Sequence, residues 1–209
     1  MGPFPHGAAR AQITDQNPAG TDGFEFVEFA HPDPAKLEAL FAQMGYMPVA
    51  CHKTKAITVW RQGDINYLVN AEPNSHAAEF IDQHGPCAPS MAWRVVNARH
   101  AFAHAVKHGA QPYEGDGKAL DVPAVIGIGG SLLYFIDQYG DDASPYDDEF
   151  DWVGERNSKP KGIGFYYLDH LTHNVFRGNM DTWWHFYRDL FGFTPVSYTH
   201  LTLPTTPYV

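Results

Sequence analysis

Each of the three most regular helix-like segments of this 209-residue chain ends in a glycine that is followed three residues later by a proline. The three occurrences are "MGYMPV" at 44–49, "HGAQP" at 108–112 and "FGFTPV" at 191–196. Glycine suits the left-handed position that closes a helix, and proline prevents the helix from continuing. Because a strand-like run precedes each helix and strand-like runs follow the first two, the pattern predicts an internal repeat of βαβββ units.

The repeat divides the chain into units. Residues 23–140 are predicted to form a domain of two complete units. Their opening strands are "FEFVEFA" (24–30) and "SMAWRVVN" (90–97), and their helices lie at 31–46 and 98–109. Asp33 is placed to cap the first helix, and Pro34 takes its first position. Residues 162–196 are predicted to form the start of a third unit, with a strand over 163–174 and a helix over 180–192. The predicted fold class is therefore α+β, with two complete βαβββ units and part of a third, able to close a half-barrel of sheet around a cavity.

Three other segments are predicted to lie outside the packed units because of their composition. They are a disordered leader rich in Pro, Gly and Ala at 1–22, a solvated acidic linker at 141–161, and a Thr/Pro-rich tail at 197–209 that looks like non-native sequence.

Charge and composition exclude several classes of partner. A net charge of −10 and a pI near 5.5 argue against nucleic acid and anionic membranes, because phosphate binding needs a basic surface. No apolar run approaches the roughly 20 residues that span a bilayer, and the first residues lack the apolar core of a signal peptide. The only two cysteines, Cys51 and Cys87, lack a C-x-x-C spacing and suit small buried side chains in a reducing compartment. These features predict a cytoplasmic protein.

Histidines are the candidate metal ligands. His100, His104 and His108 are spaced four apart on the second helix and share one face, which could chelate a transition metal. Phe102, Ala105 and Val106 occupy the other face, so the histidines are expected to point outward and form a polar surface stripe.

His170 and His173 lie in the predicted strand "GIGFYYLDHLTHNV". Side chains of a strand alternate between its faces, so these two histidines cannot chelate one ion together. From spacing alone, His170 is either an ordinary strand residue or a single metal ligand. The matching strands of the first two units contain no histidine, which favours a specific role for His170.

Several segments carry a resemblance to a known family. "GFEFVEFAHPDP", "YLVNAEPNS", "HGPCAPSMAWRV", "GIGGSLLYFID" and above all "LDHLTHNVFRGNMDTWWHFYRDLFGF" resemble bacterial 4-hydroxyphenylpyruvate dioxygenases, of the vicinal oxygen chelate superfamily. The resemblance covers about 23–193. It implies four βαβββ units, two in an N-terminal domain without metal and two in a catalytic C-terminal domain. It also implies a homo-oligomer, since family members commonly form dimers or tetramers.

The resemblance further implies a chemistry. Members of the family bind Fe(II) through two histidines and one glutamate, and they convert 4-hydroxyphenylpyruvate, a 2-oxo acid, and O₂ into homogentisate and CO₂. His170 matches the first iron ligand, while Asp169 and Thr172 are expected at most to orient the strand.

The sequence departs from the family after Phe193. "TPVSYTHLTLPTTPYV" does not resemble the expected continuation, and His200 matches no ligand. The expectation is an incomplete chain, inactive alone, in which residues 23–140 are compact and residues 162–209 are marginally stable. Two alternatives stay open: a 4-hydroxymandelate synthase, which would share iron and substrate, and a non-catalytic binding or assembly module of the same fold.

Overall fold

The computed structural model describes residues 9–195. Its elements, in chain order, are β1 (Thr21–Ala30), α1 (Pro34–Gln43), β2 (Met47–His52), β3 (Ile57–Gln62), β4 (Ile65–Asn70), α2 (His76–His84), β5 (Cys87–Val95), α3 (Ala98–Lys107), β6 (Gln111–Pro112), β7 (Ala124–Ile126), β8 (Leu132–Ile136), β9 (Phe150–Trp152) and α4 (Met180–Phe191). None of these helices is long and apolar enough to cross a membrane.

The strands form one nine-stranded sheet in the order β6-β7-β8-β5-β1-β4-β3-β2-β9. In the first unit, β1 pairs in parallel with β4, and β2, β3 and β4 form an antiparallel meander. The second unit repeats this arrangement, since β5 pairs in parallel with β8 and β6, β7 and β8 are antiparallel. The two units join through antiparallel pairing of β1 with β5. The predicted pair of βαβββ units is confirmed.

One core cluster on a single face of the sheet, called the inner face, is shared by both units. Side chains of both units meet there, including Val59 and Leu68 from the first and Leu132 and Tyr134 from the second. The helices cover the outer face in two separate clusters, around Phe41 for α1 and around the alanines of α3. The inner face is therefore packed with side chains from both units.

The glycines of the repeat adopt the predicted helix-closing conformation. Gly45, Gly109 and Gly192 have positive φ angles of 83°, 92° and 71°. The helix boundaries differ slightly from those predicted: α1 covers Pro34–Gln43, with Pro34 in its first turn, but Asp33 makes no side-chain capping hydrogen bond. The short helix α2, capped by Ser75 Oγ, was not predicted.

The predicted disordered leader is wrong for residues 9–22, and residues 1–8 lie outside the described part of the chain. The Asn17 side chain accepts from Thr21 N at 2.8 Å and donates to Thr21 O at 3.0 Å, which closes a turn before β1. Ala19 is buried, and Tyr139 OH donates to Asp22 at 2.7 Å. A Pro- and Gly-rich composition is therefore accompanied here by specific side-chain contacts that order the backbone.

The predicted solvated linker at 141–161 is also wrong in part. Residues Phe150–Trp152 form β9 and pair with the outer edge of β2. Tyr146 and Phe150 are fully buried in the inner core, with their rings 5.4 Å apart. Aromatic side chains between the acids supply enough apolar area to hold the segment on the sheet, while the carboxylates remain at the surface.

The predicted strand at 163–174 is not a strand, since it pairs with none of the nine strands of the sheet. Helix α4, which follows it, packs against the second unit. Leu190 and Phe191 are buried, and the Phe191 ring lies 5.3 Å from that of Trp93. The apolar end of α4 is thus covered, while Trp183, Phe186 and Tyr187 remain partly exposed. The tail at 197–209, with His200, lies outside the described residues.

Candidate functional site

One buried side chain, that of Gln62, makes three hydrogen bonds to the start of the segment that carries His170. Gln62 Oε1, at the end of β3, accepts hydrogen bonds from the backbone N–H groups of Ile163, Gly164 and Phe165 at 2.7, 3.0 and 3.1 Å. Gln62 Nε2 donates to Met44 O at 2.8 Å, which ties the same side chain to the end of α1. One amide therefore satisfies backbone groups that a strand would have paired in a ladder.

Three glycines let this segment approach the β3–β4 turn and the end of α1. A Cβ on Gly45 would lie 2.8 Å from Ile163 N, and a Cβ on Gly63 would lie 2.6 Å from Tyr166 Cα. Gly162 faces Gly45 O and the Gln62 side chain with no room for a methyl group. Gly45 thus has two roles, because it closes α1 and also admits the segment.

Two leucines anchor the segment on either side of the candidate ligand. Leu168 packs against the cluster around Phe41, and Leu171 packs against the cluster of α3 and α4. His170, between them, points outward with its side chain 79% exposed, and its Nδ1 donates to Asp169 Oδ2 at 2.9 Å. A carboxylate on one ring nitrogen fixes the tautomer and leaves Nε2 to accept a metal. Nε2 has no hydrogen-bond partner among residues 9–195.

His173 has a different environment. Its Nδ1 and the Tyr187 hydroxyl are 3.0 Å apart in a hydrogen bond, which joins it to α4. Because the segment is not a strand, the alternation argument that separated His170 from His173 does not apply. The different partners of the two rings are now the reason to expect different roles.

The histidines of α3 are not gathered into a site either. His100 and His104 donate through Nε2 to Pro18 O at 2.9 Å and to Asp189 O at 3.2 Å, so they secure neighbouring segments. The helix buries Ala98, Ala101 and Ala105, while Val106 is exposed, contrary to its predicted inward position. The small alanines allow α3 to lie close to the sheet.

Comparisons with known proteins agree with this geometry. A family model described as "Hydroxyphenylpyruvate dioxygenase, HPPD, N-terminal" matches residues 15–151, which include nearly the whole sheet. The chain belongs to the 4-hydroxyphenylpyruvate dioxygenase family. Hemolysin VllY of Vibrio vulnificus is 48% identical over 190 residues, 87% of this chain and 53% of VllY. The 4-hydroxyphenylpyruvate dioxygenase of Pseudomonas aeruginosa is 44% identical over 195 residues, 91% of this chain and 54% of that enzyme.

A solved structure extends the comparison. A xylose isomerase-like TIM barrel/4-hydroxyphenylpyruvate dioxygenase fusion protein matches with a TM-score of 0.75 and 30% identity, over 92% of this chain and 30% of that chain. The match supports the glyoxalase-like fold of the 4-hydroxyphenylpyruvate dioxygenase family for this chain. The chain spans about half the length of the curated relatives that it matches.

The iron site that the family implies can be tested against the residues present. Among residues 9–195, no three side chains of His, Cys, Asp or Glu lie close enough together to hold a metal ion. A facial site for Fe(II) needs two histidines and one carboxylate. The described residues of this family member therefore do not fit a complete iron site, and His170 is at most one member of it.

A buried carboxyl at the centre of the sheet was not singled out from the sequence. Glu28, on β1, is fully buried, accepts from Asn70 Nδ2 of β4 at 2.6 Å and accepts from Ser90 Oγ of β5. Desolvation by burial raises the pKa of Glu28 above its ordinary value. The available signal was a second acid in the apolar run "FEFVEFA", which a half-buried strand would tolerate only with partners.

Proposed function

We propose that this chain supplies the N-terminal domain and the first iron ligand of a cytoplasmic non-haem Fe(II) dioxygenase. The overall reaction would convert 4-hydroxyphenylpyruvate and O₂ into homogentisate and CO₂, in tyrosine catabolism. His170 is proposed as one ligand, and the second histidine and the glutamate would come from chain outside residues 9–195. The chain alone is proposed to be inactive.

The observation that carries this proposal is the presentation of His170 in a family-matched chain. The ring is exposed, Asp169 holds Nδ1, and the segment is fixed at Gln62 and at two leucines. A metal ligand requires such a fixed imidazole, with an Nε2 that makes no hydrogen bond to residues 9–195. The 44% identity to the Pseudomonas aeruginosa dioxygenase supports the choice of reaction.

A chimera tests the proposal. Residues 9–193 would replace the matching half of the Pseudomonas aeruginosa enzyme, and iron content and products would be measured. We expect one Fe(II) per chain and formation of homogentisate with CO₂. His170→Ala should abolish both, whereas the matched variant His173→Ala should keep the iron. A folded chimera that binds iron after His170→Ala would exclude His170 as a ligand.

The same assay separates the alternatives. Formation of 4-hydroxymandelate by the chimera would support a mandelate synthase, and a folded, iron-loaded chimera without any product would support a non-catalytic module. For the chain alone, we expect no stoichiometric Fe(II) after loading under anaerobic conditions and gel filtration. Tight binding of one Fe(II) per chain would show that the ligand set proposed for it is wrong.

A further inference from the structure

A polar cavity of about 190 Å³ lies in the N-terminal domain. Its walls come from β1, β3 and β5 and from the segments around Tyr139 and Lys159. The charged side chains that line it are Glu25, Arg61, Asp64, Arg94, Asp141 and Lys159. The volume equals the share of roughly six liquid water molecules, which is enough for a small solute.

Arg61 is the unusual member of this set. It is only 4% exposed, yet no carboxylate of residues 9–195 lies within 4 Å of its guanidinium group. Its Nε donates to Asn66 Oδ1 at 2.5 Å, and its Nη1 donates to Asn157 Oδ1 at 2.8 Å and Ser158 O at 3.1 Å. Within the described residues Nη2 has no hydrogen-bond partner. The rings of Tyr146 and Trp152 also face this guanidinium, 5.7 and 5.6 Å from its Cζ. Among residues 9–195, neutral acceptors and aromatic rings thus offset its desolvation without a paired carboxylate.

The other cations of the cavity are already paired. Arg94 Nε donates to Glu25 Oε2 at 2.6 Å, and its guanidinium lies 5.6 Å from the centre of the Tyr139 ring. Its two Nη atoms make no hydrogen bond to residues 9–195, and its side chain is 22% exposed. Two guanidinium groups therefore line one cavity with unused donors, and Tyr139 fixes the orientation of the second.

Lys159 forms ion pairs with the two remaining carboxylates of the cavity, those of Asp64 and Asp141. Its Nζ lies 3.0 Å from Asp64 Oδ1 and 2.8 Å from Asp141 Oδ1. The three cations and three carboxylates of the cavity cancel in number, but the Asp141 side chain is 88% exposed and screened by water. The three carboxylates that line the cavity are therefore paired with Arg94 and Lys159, and none of them lies within 4 Å of the Arg61 guanidinium.

We propose that this cavity binds a small oxyanion, a carboxylate or a phosphate, between the guanidinium groups of Arg61 and Arg94. Planar guanidinium donors match the two oxygens of either group, and burial strengthens such charge-assisted hydrogen bonds. The site does not depend on the iron chemistry proposed above, since it lies in the domain of the first two units and uses none of the His170 segment.

The experiment uses the purified full chain without metal. Inorganic phosphate and pyruvate, as a small 2-oxo carboxylate, would be titrated separately by calorimetry at constant ionic strength, with chloride as the control anion. In parallel, NMR would follow the arginine Nε–H signals. We expect saturable one-to-one binding in at least one titration, with shifts at Arg61 and Arg94 and none at Arg99. The titration that saturates identifies the class of oxyanion.

Variants locate the site. Arg61→Gln should raise the dissociation constant by at least about tenfold, because a hydrogen bond to a charged group contributes roughly 1.5–3 kcal/mol. Arg156→Gln, at an exposed arginine paired with Asp147, should leave it unchanged. If Arg61→Gln does not fold, the Nε–H shifts of the unaltered chain decide the question. Binding that leaves the Arg61 and Arg94 signals unmoved would overturn the proposal. So would the absence of saturation by either anion at concentrations up to about 20 mM.

Discussion

Replacement of Gln62 by leucine tests most directly how the His170 segment is held. The side chain is fully buried, and its amide makes three bonds to the backbone of 163–165 and one to Met44 O. Leucine keeps a similar volume but removes all four hydrogen bonds. A buried hydrogen bond contributes about 1 kcal/mol net, so the three bonds to the segment together contribute about 3 kcal/mol.

Hydrogen exchange measures this loss locally. Because about 1.4 kcal/mol corresponds to a factor of ten, the protection of the Ile163, Gly164 and Phe165 amides should fall about 100-fold in Gln62→Leu. The Trp93 amide, in the central strand β5, is the internal control and should change far less. Unchanged exchange at 163–165 would refute the role of Gln62. An equal loss at Trp93 would show global unfolding instead of local release.

Three further changes follow from the structure. Burial raises the pKa of Glu28, so the contribution of Glu28 to stability is fully present below the unfolded value of 4.5 and falls as the pH rises through the folded value. Glu28→Gln, which mimics the protonated carboxyl, should flatten this fall in urea unfolding curves measured from pH 4.5 to 8; an unchanged slope would contradict the assignment. Phe150→Ala should cost about 3–5 kcal/mol in the same assay, because it leaves a cavity in the core; a cost near zero would restore the linker interpretation. Gly162→Ala should increase proteolytic cleavage of the 160–171 segment, since the added methyl meets Gly45 O, whereas Gly154→Ala, at a position of similar φ with open space, should not.

The features that could be predicted from the sequence are those encoded locally. The Gly-x-x-Pro stops fix helix ends through the backbone of Gly45 and Gly109, and apolar runs such as "INYLVN" fix strands through their own side chains. Their recurrence then determines the topology, because two identical units must bury equivalent faces. The parallel pairing of β1 with β4 and of β5 with β8 follows from that symmetry.

The errors concern segments whose structure depends on a distant partner. Composition around Phe150 is acidic, so the three residues that pair with β2 could not be recognised without knowing that the β2 edge is free. The "YYLDHLTHNV" run has the residue types of a strand, but a strand also needs a neighbouring strand, and the segment meets Gln62 instead. Likewise, no local pattern marks Arg61, because its importance arises from the absence of a carboxylate of residues 9–195 within 4 Å of its guanidinium group.

Glu28 and Arg61 together show why the polar cavity differs from other buried polar groups of this domain. A buried carboxyl can lose its charge by taking a proton, and burial shifts Glu28 in that direction by raising its pKa. A guanidinium group cannot lose its charge in the same way, because it stays protonated at every pH at which proteins are folded. Within residues 9–195, only neutral acceptors and the rings of Tyr146 and Trp152 offset the burial of Arg61. A paired negative charge is missing there, because the carboxylates nearby are bound to Arg94 and Lys159. An oxyanion from solution supplies that charge, and occupancy of the cavity should consequently raise the unfolding temperature of the unaltered chain more than that of Arg61→Gln.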